Sequence, residues 1–110
     1  MNYSDVKTII GNTNLPNAYY QFREGEVPDL PYLVWYFPNS RPETADNKIH
    51  AQISALNVEL YTINKDFAVE AAVETVLADA GLVWRKSEAF LDDEDMYETL
   101  YEMEVLINNG

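Results

Sequence analysis

Four consecutive acids, Asp92-Asp93-Glu94-Asp95, are the densest group of potential metal ligands in this 110-residue chain. A calcium loop spaces its oxygen ligands along the chain and turns on a central glycine, and this run does neither. No histidine or cysteine stands beside it to suit zinc. The run reads as a solvated turn, and no metal is expected. His50 is the sole histidine. A general base needs a nucleophile and an orienting acid within hydrogen-bond reach. None of Ser4, Ser40, Ser54 and Ser87 sits in a glycine-flanked elbow. The absence of cysteine removes thiol nucleophiles, thiolate metal sites and disulfides together. Nineteen acids offer too many carboxylate pairs to single out a glycosidase-like couple. There is no phosphate-binding glycine loop, no dinucleotide fingerprint and no basic patch interleaved with aromatics. Neither an enzyme nor a cofactor is expected. What remains is a binding or assembly module.

Charge narrows the choice of partner. The net charge is −12, and residues 66–110 hold twelve acids against Arg85 and Lys86, a balance of −10. Such a surface repels nucleic acid and anionic membranes, and it resists self-association without a specific interface. Met1 to Asp5 contain neither a basic region nor an apolar stretch, so no signal peptide is expected. The longest apolar run, Tyr32 to Phe37, is far short of the ~20 residues of a membrane helix. A soluble, cytoplasm-made protein is the expectation. Eight tyrosines and two tryptophans fall mostly in candidate strands, where they suit a core or a protein interface.

The elements that must position these residues follow from periodicity. At this length and with 47% apolar residues, a single domain over 1–110 is expected, with a real core. Ser4 through Ile10, closed by Gly11, reads as a short helix with a side-chain cap. Ala18 to Phe22 reads as a short strand. Tyr32 to Phe37, preceded by Pro28 and Pro31, reads as a strand buried on both faces or covered by a partner subunit. The polar stretch Asn39 to Asn47 reads as a long loop. In the next strand Ile49, Ala51, Ile53 and Ala55 alternate in one phase, and Leu56, Val58 and Leu60 in the other. A β-bulge near Ala55-Leu56 would restore one face; otherwise Ile49 to Ile53 meets a different surface. Residues from about 38 to 53 thus read as a projecting arm. Asp66 opens the main helix, with Val69, Ala72, Val73, Val76, Leu77 and Ala80 as its stripe and Glu70, Glu74 and Asp79 away from the centre. Gly81 is the expected stop. Strands over Leu82 to Phe90 and Met96 to Ile107 complete the order α-β-β-β-α-β-β. The fold class is α+β, a mostly antiparallel sheet packed against one long helix.

Across nearly its whole length the chain resembles a family of small phage and prophage head–tail proteins of Gram-positive hosts. The resemblance rests on Leu15-Pro16-Asn17-Ala18-Tyr19, Gln21-Phe22, Gly25, Pro28, Pro31-Tyr32, Ala45-Asp46-Asn47-Lys48, Val58-Glu59-Leu60-Tyr61-Thr62, and Tyr97-Glu98 with Tyr101 to Val105. The element order also resembles tail terminator, or tail-to-head joining, proteins of long-tailed phages. The resemblance implies a subunit that forms a ring, six-membered in that family, at the head-proximal end of the tail. Its partners would be copies of itself, the tail tube protein and a head-completion or connector protein. Genomic DNA would pass through without specific binding. The protein would work in the host cytoplasm during assembly and then in the virion.

Two expectations attach residues to this role. Asp92, Asp93, Glu94, Asp95, Glu98, Glu102 and Glu104 would form an acidic face lining the DNA channel, where like charge leaves phosphates nothing to hold. Arg41, Glu43, Asp46, Lys48, Ile49 and Ile53 would make subunit or assembly contacts, ordering against a neighbour or the tail tube. A different neck component is the rival within the virion. Outside it, the rival is an acidic protein that sequesters a basic partner by mimicking the charge of DNA. A hydrolase comes third, for want of a catalytic constellation.

Overall fold

The computed structural model describes residues 1–45 and 48–108. Among them, two helices and six strands run in the order α1 (Tyr3–Gly11), β1 (Asn17–Tyr19), β2 (Tyr32–Tyr36), β3 (Ser40–Ala45), β4 (Lys48–Thr62), α2 (Phe67–Asp79), β5 (Trp84–Leu91) and β6 (Met96–Asn108). The strands form one sheet ordered β1-β2-β4-β6-β5, with β3 also on β4. The β1–β2 pair is parallel and every other pair antiparallel, so the α+β class holds but the sheet is mixed.

Local chemistry sets the ends of the helices. The α1 helix begins two residues earlier than expected. Asn2, not Ser4, accepts from Asp5 N while the Asp5 side chain accepts from Asn2 N, a reciprocal capping box. Asp66 caps α2 by accepting from Val69 N at 3.1 Å. Gly81, at φ +78°, ends it, and Leu82 N returns to Leu77 O at 3.1 Å. This left-handed closure suits glycine, which has no Cβ to clash.

Both helices cover the same face of the sheet. Val6 and Ile10 of α1 and Val73 and Leu77 of α2 join Leu33, Leu56, Val58, Leu60, Tyr101, Val105 and Ile107 in one buried cluster. Both expected helices form, with 9 and 13 residues, and the sheet packs against the two together where the sequence reading placed it against the longer one alone. The core stripe of α2 is also rotated. Its buried residues are Glu70, Val73 and Leu77, whereas Ala72 is exposed. A carboxylate thus occupies the centre of a face that apolar periodicity assigned to alanine and valine.

The stretch read as a loop over Asn39 to Asn47 is largely strand β3, and the arm is a hairpin. Along one edge of β4, β2 pairs with residues 57–61 and β3 with residues 48–54. Pro38 interrupts what is otherwise one long strand. Pro42 is tolerated in β3 because only one side of that strand is paired. The expected bulge at Ala55-Leu56 is absent, for β4 pairs with β6 in unbroken register from Ala51↔Asn108 to Thr62↔Tyr97. The register shift falls instead between Glu43 and Thr44, opposite residues 49–51 of β4. Ser54, Leu56, Val58, Leu60 and Thr62 face the helices, and by alternation Ile53 and Ala55 face away. The second expected possibility, a different surface for Ile49 to Ile53, fits Ile53; Ala51 is buried, and the side chain of Ile49 lies outside the described residues.

Candidate functional site

Among the described residues one face of the sheet carries no helix, and the acids of β6 lie there. Thr99, Tyr101, Met103, Val105 and Ile107 are buried toward the helices, so strand alternation turns Glu98, Glu102 and Glu104 to the open face. Their neighbours on β4 are Tyr61, Asn57 and Ala55 respectively. Glu102 also stands opposite Arg85 of β5. Glu104 Oε2 accepts from Arg41 Nη1 at 2.8 Å, a link that crosses β4 from β3 to β6. The three glutamates expected on one face are therefore together.

The Asp92–Asp95 turn is elsewhere. It joins β5 to β6 beside the C-terminal end of β4, whereas the β3–β4 hairpin closes at the N-terminal end. Fifteen residues of strand, at about 3.3 Å each, separate the two, in a molecule 51 Å long. The turn lies at one end of the open face, where the charge of Glu94 reaches Tyr32. Arg41 and Glu43 sit at the other end, opposite Ile53 and Ala51. Asp46 lies outside the described residues, as do the side chains of Lys48, Ile49 and His50. Among the described residues no group of three metal-ligating side chains comes together.

The sequence reading did not single out two clusters. On the open face, Glu59 accepts at Oε1 from Tyr36 OH (3.0 Å) and at Oε2 from Tyr61 OH (2.6 Å). Burial and the Glu59 carboxylate raise the Tyr61 hydroxyl above the ordinary phenol range. Burial, with the Glu59 charge beside it, also raises Glu98 above the usual carboxylate range. The sequence signal was weak: Glu59 and Tyr61 share a face by alternation, but Tyr36 joins them only through the β2–β4 register.

The second cluster lies under α2. Glu70, 2% exposed, has Lys65 Nζ 2.7 Å from Oε2 and Lys86 Nζ 2.8 Å from Oε1. Lys65 also meets Glu88, and Lys86 also meets Glu74, which accepts from Tyr101 OH at 2.8 Å. Lys86 is the one group that meets Glu70 Oε1 among the described residues. Burial opposes ionisation of Glu70, but the two ammonium groups outweigh it and hold the carboxyl below its ordinary range. This network ties α2 to β5.

The fold has a solved counterpart. A chain from the virion of a native gene transfer agent particle superposes with a TM-score of 0.66 at 12% sequence identity. The match covers 97% of this chain and 91% of that one. No family model matches the chain, and no curated protein sequence matches it. At that identity the likeness is one of fold, and it extends over the whole α+β arrangement. No helix among the described residues is long and apolar enough to cross a membrane.

Proposed function

We propose that this protein is a structural, non-enzymatic component of a phage-like particle: a tail terminator, or tail-to-head joining subunit, that assembles as a ring. The observation that carries the reading is the fold shared over nearly its full length with a chain of a gene transfer agent virion. The distribution of surface chemistry supports it. The helix side and the loops beside it expose Ile63, Phe67 and Val83, apolar groups suited to contacts with neighbouring copies or a tail tube. The open sheet face carries Glu98, Glu102 and Glu104. Turned toward a central channel, that face meets DNA with like charge, so no phosphate contact holds the passing genome. Arg41 and Glu43, at the opposite end from the Asp92–Asp95 turn, lie on a hairpin placed to reach an adjacent subunit. A heterologous contact repeated around an axis closes a ring, six-membered in the family that the sequence resembles.

Electron microscopy of particles made without the gene tests this. Overlong or headless tails, restored to normal length and head attachment by added protein, are the expected result. Normal tails on normal heads would remove the protein from the neck.

A further inference from the structure

The open face holds a pocket near the β1–β2 edge, beside Glu98 and on the side of the face away from Glu104. It has a volume of about 340 Å³ and is walled by Tyr20, Phe22, Tyr32 and Tyr61, with Val34 and Glu59 also lining it. The rings support one another edge-on or tilted: Phe22 against Tyr32 at 5.2 Å, Tyr32 against Tyr61 at 5.3 Å, and Tyr20 against Tyr36 at 5.3 Å between centroids. Tyr20 stands 63% exposed at the rim.

The chain holds Tyr20 there at a cost. Its φ is +71°, a left-handed value uncommon for a bulky residue. Gln21 N donates to Tyr19 O at 2.9 Å across it, closing a tight three-residue turn, and Tyr20 N donates to Trp35 O at 2.8 Å. A glycine would fit this backbone without strain.

We infer that this aromatic pocket receives a cationic side chain, an arginine foremost, from a segment of a partner protein. Rings of tyrosine and phenylalanine present negative π faces that attract a cation. A planar guanidinium stacks on them and also pairs with a carboxylate. Glu59 supplies that carboxylate at the pocket wall. Each of its oxygens accepts one tyrosine hydroxyl, which leaves a lone pair on each for a further donor. Among the described residues no lysine or arginine pairs with Glu59 or Glu98; the Arg41–Glu104 pair lies toward the other end of the face, and the remaining ion pairs join α2, β5 and the loop before α2. Charge complementarity therefore selects a basic occupant over an apolar one. The inference does not depend on the ring reading, because pocket and charge belong to the free chain.

The test is a two-dimensional NMR titration of the labelled protein with the peptide acetyl-Gly-Gly-Arg-Gly-Gly-amide, and with its citrulline counterpart, which keeps the shape and loses the charge. Shifts confined to 20–22, 32–36 and 59–61, at least fivefold weaker with citrulline, are expected. Glu59→Gln should abolish them. Tyr20→Gly, which suits the backbone and removes one wall, should weaken them severalfold and leave the distant spectrum unchanged. It also decides the matter should Glu59→Gln fail to fold. Equal responses to the two peptides, shifts centred on Asp92–Asp95, no response, or a full response in Tyr20→Gly would each overturn the inference.

Discussion

Glu70 Oε1 lies 2.8 Å from Lys86 Nζ although the glutamate side chain is 2% exposed and the lysine side chain 37%. A helix residue buried at the centre of its core-facing stripe thus carries a charge that is met from the edge strand β5. Taking a charge out of water is expensive unless it is paired, and here two ammonium groups pair it. Glu70→Gln keeps the shape and removes the charge. It should cost about 2 kcal/mol, the scale of charge-assisted bonds lost from one group, read as a lower urea midpoint with unchanged slope.

The same cluster gives a pH signature. The Glu70 carboxyl is held below its ordinary value of 4.5, so the folded state binds its proton more weakly than the unfolded state does. The stabilisation is present above that ordinary value and is lost as pH falls through the lower folded value. The stability gap between the wild type and Glu70→Gln should hold from pH 7 to 5 and shrink below about pH 4. A gap that stays constant down to pH 2.5 in urea melts would contradict this.

Glu98 has the opposite sign. Burial and the neighbouring Glu59 raise its value, so its charged form opposes folding. That cost is absent below the ordinary value and grows as pH rises through the folded one. Glu98→Gln should therefore raise the melting temperature at pH 7, by a small amount for a half-buried group, and change nothing at pH 3. Differential scanning calorimetry at the two pH values checks both halves.

The Arg41–Glu104 pair is exposed on both sides, 61% and 59%. Exposed pairs are worth roughly 0–1 kcal/mol, so Arg41→Ala should leave the denaturation midpoint of the isolated protein nearly unmoved. If the hairpin reaches a neighbouring subunit, the same variant should reduce incorporation into particles severalfold. Particle yield beside a monomer melt separates the two effects.

A charge reversal tests the proposed channel. Glu102→Lys with Glu104→Lys places cations on the open face without touching the buried side of β6. Particles should still assemble but should release or admit DNA more slowly, with a delay that lessens at high salt as phosphate contacts weaken. Unaltered DNA passage in particles containing the variant would mean that this face does not line the path.

Much of the fold was legible because its cues are local. Alternation in β6, the acid cap of α2 and the glycine at position 81 all act within a few residues of where they are read. The less legible parts depend on pairing between distant segments. Ser40 to Ala45 carry no apolar alternation, and they become a strand because β4 offers a free edge beyond the end of β2. Ser54 and Thr62 lie buried in phase with Leu56 to Leu60, so a polar residue hid the continuity of that face and suggested a bulge that is not there. Glu70 was misjudged for a similar reason. A charged residue is assigned to solvent by default, and only Lys65 and Lys86, which come from a loop and from β5, reverse that assignment. Of the candidate residues, Glu98, Glu102 and Glu104 were placed together by alternation alone. The Tyr36–Glu59–Tyr61 group required the register between two strands.

The unbroken pairing of β4 with β6, from Ala51 to Thr62, has a mechanical meaning. A pull directed along the long axis would load this ladder in shear, so that many hydrogen bonds resist at once instead of parting one by one. Peeling β5 from the sheet edge would meet them singly. Tension along the strands should thus be withstood far longer than tension across them, a difference set by the rate of forced unfolding and not by equilibrium stability.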